Sequence, residues 1–143
     1  MANMPPDFES VFVSLRSILQ KQAAAFSVTE DGADRYCLEA TAGPATLRAW
    51  HGKVKRRQIP VAWVEIGKSY VSFHLMAVYG NSKLRDGMSS RLKARMQGKT
   101  CFNFKTNDED LFKELEHVTA QGLAAFKEAG FITEQDPTGE RRR

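Results

Sequence analysis

The chain has 143 residues, 42% of them hydrophobic and 27% charged, with a formal net charge of +4. That length predicts a single domain able to bury a core without disulfides or metals, and the composition excludes collagen-like, disulfide-rich and wholly disordered classes. No apolar run approaches the ~18 residues of a transmembrane helix, so no membrane partner is expected.

The first element is a helix. Phe8, Val11, Phe12, Leu15, Ile18, Leu19, Ala23 and Phe26 recur at spacings of three and four, which places one apolar stripe along residues 8–26. Pro5 and Pro6 fit at or before its start, where a missing N–H does little harm. Glu30–Ala33 reads as a turn. Four strand-like segments follow. Arg35–Ala40 alternates with Tyr36, Leu38 and Ala40 on one side, and Ala45–Trp50 alternates with Leu47 and Ala49 against Thr46, Arg48 and Trp50. His51–Pro60 is too polar for a core element and reads as a loop. Val61–Ile66 and Tyr70–Val78 pair as a hairpin through Gly67–Lys68, and the short connections require an antiparallel sheet.

A helical turn near Lys83–Asp86 precedes a short helix capped by Ser89 or Ser90, running to about Gln97 and stopped by Gly98. Thr100–Phe104 is the fifth strand. Thr106, Asn107 or Asp108 caps the last helix, whose first turn carries Asp108, Glu109 and Asp110 at the positive end of the helix dipole. Its stripe is Leu111, Leu115, Val118, Gly122, Phe126 and Ala129, with Gly130 as the stop. Residues 133–143 have no apolar periodicity and are expected to form a mobile tail after a single domain over residues 1–132. The fold class expected is α+β, a two-layer sandwich. Its antiparallel sheet has about five strands, with the N- and C-terminal helices on one face.

The segments YVSFHLMAVYG at 70–80 and LKARMQGKTCFNFK at 92–105 resemble the YdhG-like family of uncharacterised bacterial domains. That family has an aromatic-rich strand, a short helix, a Gly-Lys step, a Phe-bearing strand and a closing helix, and the resemblance in element order covers about residues 8–129. It implies a domain shaped like frataxin, with two terminal helices over one sheet face, and through that shape an iron-binding or iron-delivery role. The chain departs from the frataxin pattern at the acidic ridge. Its first helix carries only Asp7 and Glu9 at the start, followed by Arg16 and Lys21.

Charge is unevenly placed along the chain. Residues 1–50 hold four Lys or Arg against six Asp or Glu, residues 51–105 twelve against two, and residues 106–143 five against nine. The basic middle is suited to an anionic ligand, a protein partner or nucleic acid. Its cations are Lys53, Lys55, Arg56 and Arg57 in the loop, then Arg91, Lys93, Arg95 and Lys99 around the short helix. The alternative is a set of solvated faces partly neutralised by the acidic helices. No RRM, KH or helix-turn-helix signature accompanies it.

Alternation along Tyr70–Val78 turns Val71, Phe73, Leu75 and Ala77 toward the helices, and Ser72, His74, Met76 and Val78 away from them. The same logic sends Arg48, Trp50, Trp63 and Glu65 to that second face. The expected ligand or partner surface is therefore Arg48, Trp50, Trp63 and His74, rimmed by Arg56, Arg57, Arg91, Arg95 and Lys99, with an exposed tryptophan free to stack a base or ring. The alternative puts one or both tryptophans in the core or under a loop.

No metal site, cofactor or catalytic residue is expected. His51, His74 and His117 are scattered, and Glu114 with His117 supplies only two ligands of a larger set. No GxSxG, HExxH, P-loop or dinucleotide fingerprint is present, so the chain is read as nonenzymatic. Cys37 and Cys101 stand far apart without a CxxC, as expected of free, inert thiols in the cytoplasm. The N-terminus MANMPPDFES lacks the pattern of a secretory signal. A monomer or weak dimer completes the expectation.

Overall fold

A computed structural model describes residues 6–49, 58–79 and 81–133. Helix α1 spans Pro6–Gln20, and Phe8, Val11, Phe12, Leu15, Ile18 and Leu19 on its stripe are all buried. A single 3-10 turn at Ala23–Ala25 leads into β1 (Ser27–Asp31) and β2 (Arg35–Ala42). Next come α2 (Pro44–Ala49), β3 (Gln58–Ile66) and β4 (Val71–Leu75). Short helices α3 (Ser82–Asp86) and α4 (Ser90–Lys93) precede β5 (Met96–Gln97) and β6 (Cys101–Phe104). Helix α5 (Glu109–Glu128) and β7 (Ile132–Thr133) close the described chain.

The fold is α+β. Among the described residues the sheet has seven antiparallel strands in the order β1-β2-β3-β4-β6-β5, with β7 pairing β2 in line with β1. Tyr36, Leu38, Val64, Phe73, Leu75, Phe102 and Phe104 meet α1 and α5 in one buried cluster, which is the two-layer core the sequence predicts. The β3–β4 hairpin closes through Gly67–Tyr70, with the Gly67 N–H donating to the Tyr70 carbonyl at 2.9 Å. Asp108 caps α5 by accepting the Leu111 N–H at 3.2 Å, and Ser89 caps α4 by accepting that of Leu92 at 3.1 Å.

Several elements differ from expectation. Of the strand expected over Ala45–Trp50, the described part, Ala45–Ala49, is helical, because Pro44 occupies the first position of α2 and the Leu47 N–H bonds the Gly43 carbonyl four residues back. Leu47 is therefore only half-buried and lies outside the core cluster, and Arg48 sits exposed on a helix. Glu30 and Asp31 belong to β1, so the turn is confined to residues 32–34. Gln58, Ile59 and Pro60 begin β3 rather than ending a loop, and the register slips beside Pro60 in a β-bulge, where a residue lacking an N–H is tolerated. Strand β4 ends at Leu75. Met76–Val78 form a 3-10 turn that buries Ala77 and Val78, so Val78 does not face outward.

The helix expected to reach Gln97 stops at Lys93, and Met96–Gln97 pair with β6 across the turn containing Gly98, at φ +82°. Ala129 is an exposed cap residue rather than a stripe position. Thr133 pairs with Thr41 in β7, and the rest of the expected tail lies outside the described residues.

The end of α5 is the tightest junction. Gly130 adopts φ +88°, its N–H bonds the Lys127 carbonyl and that of Phe131 reaches Phe126, which is a Schellman motif. The Phe126 and Phe131 rings stack at 5.1 Å as its apolar clasp. Gly43 meets this turn so closely that a Cβ there would lie 2.3 Å from the Gly130 carbonyl oxygen.

Two stability changes follow, both readable by urea denaturation. Phe73→Ala is expected to cost about 3–5 kcal/mol, since the ring is fully buried. Gly43→Ala should destabilise by at least ~1 kcal/mol, because backbone atoms on both sides must part. A Gly43→Ala midpoint equal to wild type would refute that close approach.

Candidate functional site

Two surfaces emerge where the sequence pointed to one. The first is the sheet face opposite the helices. Strand register aligns Cys37, Trp63, His74, Cys101 and Gln97 in one row, and Arg35, Glu65, Ser72 and Asn103 in the next. Trp63 and His74 do share this face, and their rings stack with centroids 4.5 Å apart and planes 14° from parallel. The Arg35 guanidinium approaches the indole from β2, 5.9 Å from its centroid. Arg35 in turn bonds Glu65 at 3.0 Å and also pairs with Glu30. Burial works against its charge, yet these hydrogen bonds outweigh it and hold the proton more firmly than usual.

The indole therefore already has a cation on one flank and an imidazole on the other. A nucleobase would have to displace one of them, and Trp63 is half-buried rather than freely exposed. Trp63 thus lies on the expected face, with Arg35 and His74 as neighbours of its ring. Arg48 is on α2, as described above, and Trp50, Arg56 and Arg57 lie outside the described residues.

Further along the rows the contacts stay polar. The Cys101 Sγ lies 3.8 Å from His74 Nε2 and 3.3 Å from Asn103 Oδ1. The Ser72 hydroxyl donates to Asn103 Oδ1 at 3.0 Å, and Asn103 donates to Gln97. Burial pushes the Cys101 thiol up and the His74 imidazole down, the latter partly opposed by Glu65. Both partners thus favour their neutral forms, the reverse of the thiolate–imidazolium state that a nucleophilic pair uses. Cys37 is buried and its thiol is likewise pushed up by burial.

The second surface is a cavity of about 260 Å³ lined by Arg91, Ala94, Arg95, Phe104, Lys105, Thr106, Asp108 and Leu111. Each charged group arrives from a different local device. The Ser89 cap and buried Leu92 hold α4, and Ser89 gives both its N–H and its hydroxyl to Glu114 at 2.7 Å, fastening α4 to α5. Arg95 follows α4, pinned by its carbonyl, which accepts the Asn103 N–H at 2.9 Å. Lys105 is the first residue past β6, and Asp108 is the cap of α5.

Arg91 donates to Asp108 Oδ2, with side chains 62% and 30% exposed. A pair so wet contributes at most about 1 kcal/mol and opens readily. The lining holds three cations against one carboxylate. The predicted pair Arg91 and Arg95 is therefore brought together, although Arg95 is past the helix end. Lys99 is not part of it, since its ammonium packs 5.6 Å from the Tyr79 ring centroid. Lys105 was not singled out by sequence, and only its position one step beyond the Phe102/Phe104 alternation could have suggested it.

Glu114, considered above with His117 as a ligand pair, is committed to Ser89. Among the described residues no group of three or more His, Cys, Asp or Glu side chains converges as a metal site. Among them, too, no helix is long and apolar enough to cross a membrane. Comparison with protein-family models, curated proteins and solved structures returns no match.

The outer face carries a pH prediction. The folded state lowers the His74 pKa below its ordinary 6.5, so the unfolded chain binds that proton more readily. Stability should be independent of His74 above about pH 6.5 and should fall as pH drops below it toward the folded value. In Trp50→Phe, where Trp63 is the remaining indole, denaturation at pH 7.5 and 5.5 should show this loss, and His74→Gln in that background should lessen it. Equal losses with and without His74 would refute the assignment.

Proposed function

We propose that the chain is a nonenzymatic, YdhG-like binding domain that takes an anionic group of its ligand or partner in the Arg91–Arg95–Lys105 cavity. The observation that carries this reading is the convergence of three cations, two from α4 and its exit and one from the end of β6, on one concave, partly apolar site. Arginine forks and a lysine ammonium are the groups that oxyanions pair with best. The cavity is smaller than the roughly 300–1,000 Å³ of drug-sized sites, which favours a small anion or one anionic substituent of a larger partner. Phe104 and Leu111 supply the apolar part of the wall beside these charges.

The neutral Cys101–His74 pair supports the nonenzymatic reading. The iron alternative implied by frataxin-like shape has less behind it, since Glu114 is occupied by Ser89 and the first helix lacks an acidic ridge. A nucleic-acid partner would use the same cations but without Trp63 as a ready platform.

The test is a titration of the full chain followed by amide NMR shifts at ~20 and ~200 mM salt. Inorganic phosphate should perturb residues around Arg95 and 105–111, more weakly at the higher salt. Arg91→Gln together with Arg95→Gln should weaken binding by about tenfold or more while leaving the unfolding free energy from urea denaturation within ~0.5 kcal/mol of wild type. Shifts that persist unchanged in the double variant would exclude this cavity.

A further inference from the structure

We infer that Asp108 is a tethered competitor inside the cavity, and that it holds anion affinity down, most of all for phosphate-type dianions. The inference rests on the anion-binding reading above and concerns its selectivity. Asp108 divides its two carboxylate oxygens between separate tasks. Oδ1 accepts the Leu111 N–H and caps α5, while Oδ2 accepts from the Arg91 guanidinium. The helix cap needs only the first of these bonds. Arg91 can therefore be released from Oδ2 without unwinding α5, and its largely exposed side chain is free to turn.

With Asp108 in place, the lining carries a net charge of +2. An arriving monocarboxylate exchanges one carboxylate for another at Arg91 and leaves the site unneutralised. A phosphate dianion matches that charge and offers enough oxygens to meet Arg91, Arg95, Lys105 and the Thr106 hydroxyl together. Asp108 still repels whatever enters, a dianion about twice as strongly as a monoanion, so its charge lowers the affinity that the three cations would otherwise give. Glu109 and Asp110 share the first turn of α5 but do not line the cavity.

The variant Asp108→Asn separates the two tasks, because asparagine caps a helix as well as aspartate but carries no charge. The experiment is an NMR titration of the full chain at pH 7.5 and low salt with inorganic phosphate, glycerol 3-phosphate and acetate. Wild type should bind both phosphate probes at least about tenfold more tightly than acetate. A preference for glycerol 3-phosphate over inorganic phosphate would assign the natural group as a phosphomonoester, and the reverse order as free phosphate. Asp108→Asn should tighten phosphate about three- to tenfold, and acetate by a smaller factor, so that the preference for phosphate widens. Asp110→Asn makes the same charge change outside the lining and should alter affinity less than twofold.

Wild-type phosphate binding that Asp108→Asn leaves unchanged, or that Asp110→Asn tightens equally, overturns the competitor while the anion site stands. No phosphate binding by wild type at these residues overturns the site itself. Should Asp108→Asn lose helicity by circular dichroism, Asp108→Ser offers a second neutral cap and carries the same expectation.

Discussion

Opposite alternation on the β3–β4 hairpin is the constraint on which both faces of the sheet depend. Val64 stands across from Phe73, and the next pair, Trp63 and His74, points the other way. A slip of one residue would exchange a buried phenylalanine for a titratable imidazole and carry every neighbour with it. The four-residue turn fixes the register locally, and α1 fixes it from above through Phe12 and Leu15. Each large side chain in that contact contributes about 1.5–3 kcal/mol by leaving water. The polar outer rows need no such driving force, because the core has already placed them side by side.

Strand β6 joins the two surfaces. Phe102 and Phe104 point into the core, Cys101 and Asn103 belong to the outer rows, and Lys105 enters the cavity one residue later. Asn103 is the hinge of this arrangement. Its side chain binds Ser72 and Gln97, and its backbone N–H holds the Arg95 carbonyl. Phe104 packs edge-on against Phe112 at 5.0 Å, so the cavity wall is also part of the α5 interface. Changes that disturb Asn103 would reach both surfaces, whereas changes at Arg91 touch only one.

The sequence was most legible where burial imposes a period. Most of the α1 and α5 stripes and the inward set Tyr36, Leu38, Phe73 and Leu75 follow from spacing, and the caps at Ser89 and Asp108 were each among the two or three candidates that residue type offered, as Gly130 was for the stop. It was least legible where tertiary contacts override a short pattern. Residues 45–50 alternate as a strand would, but Pro44 and the Ala45 N–H bond to the Gly130 carbonyl recruit 45–49 into a helical turn. Strand β1 has Val28 as its sole large apolar residue and exposes it, so no buried face marked it. Strands β5 and β7 are two residues each, below any periodicity. Trp63 and His74 could be placed together by alternation, yet the engagement of the indole by Arg35 depended on pairing with β2, which no local pattern encodes.

Charge shows the same division between what chain order states and what folding decides. The twelve cations of residues 51–105 form a block along the sequence. At physiological salt, exposed charges more than about 8 Å apart barely sense one another, so nearness in sequence alone does not make a binding unit. Among the described residues, folding sends these cations to different places. Lys99 goes to Tyr79, while Arg91 and Arg95 gather with Lys105 around a single cavity. Asp108, from the acidic third of the chain, is brought into the same wall by its duty as a helix cap. The site's charge is therefore set by local geometry, two positive rather than ten, and a helix-capping requirement unrelated to binding fixes where its one negative charge stands.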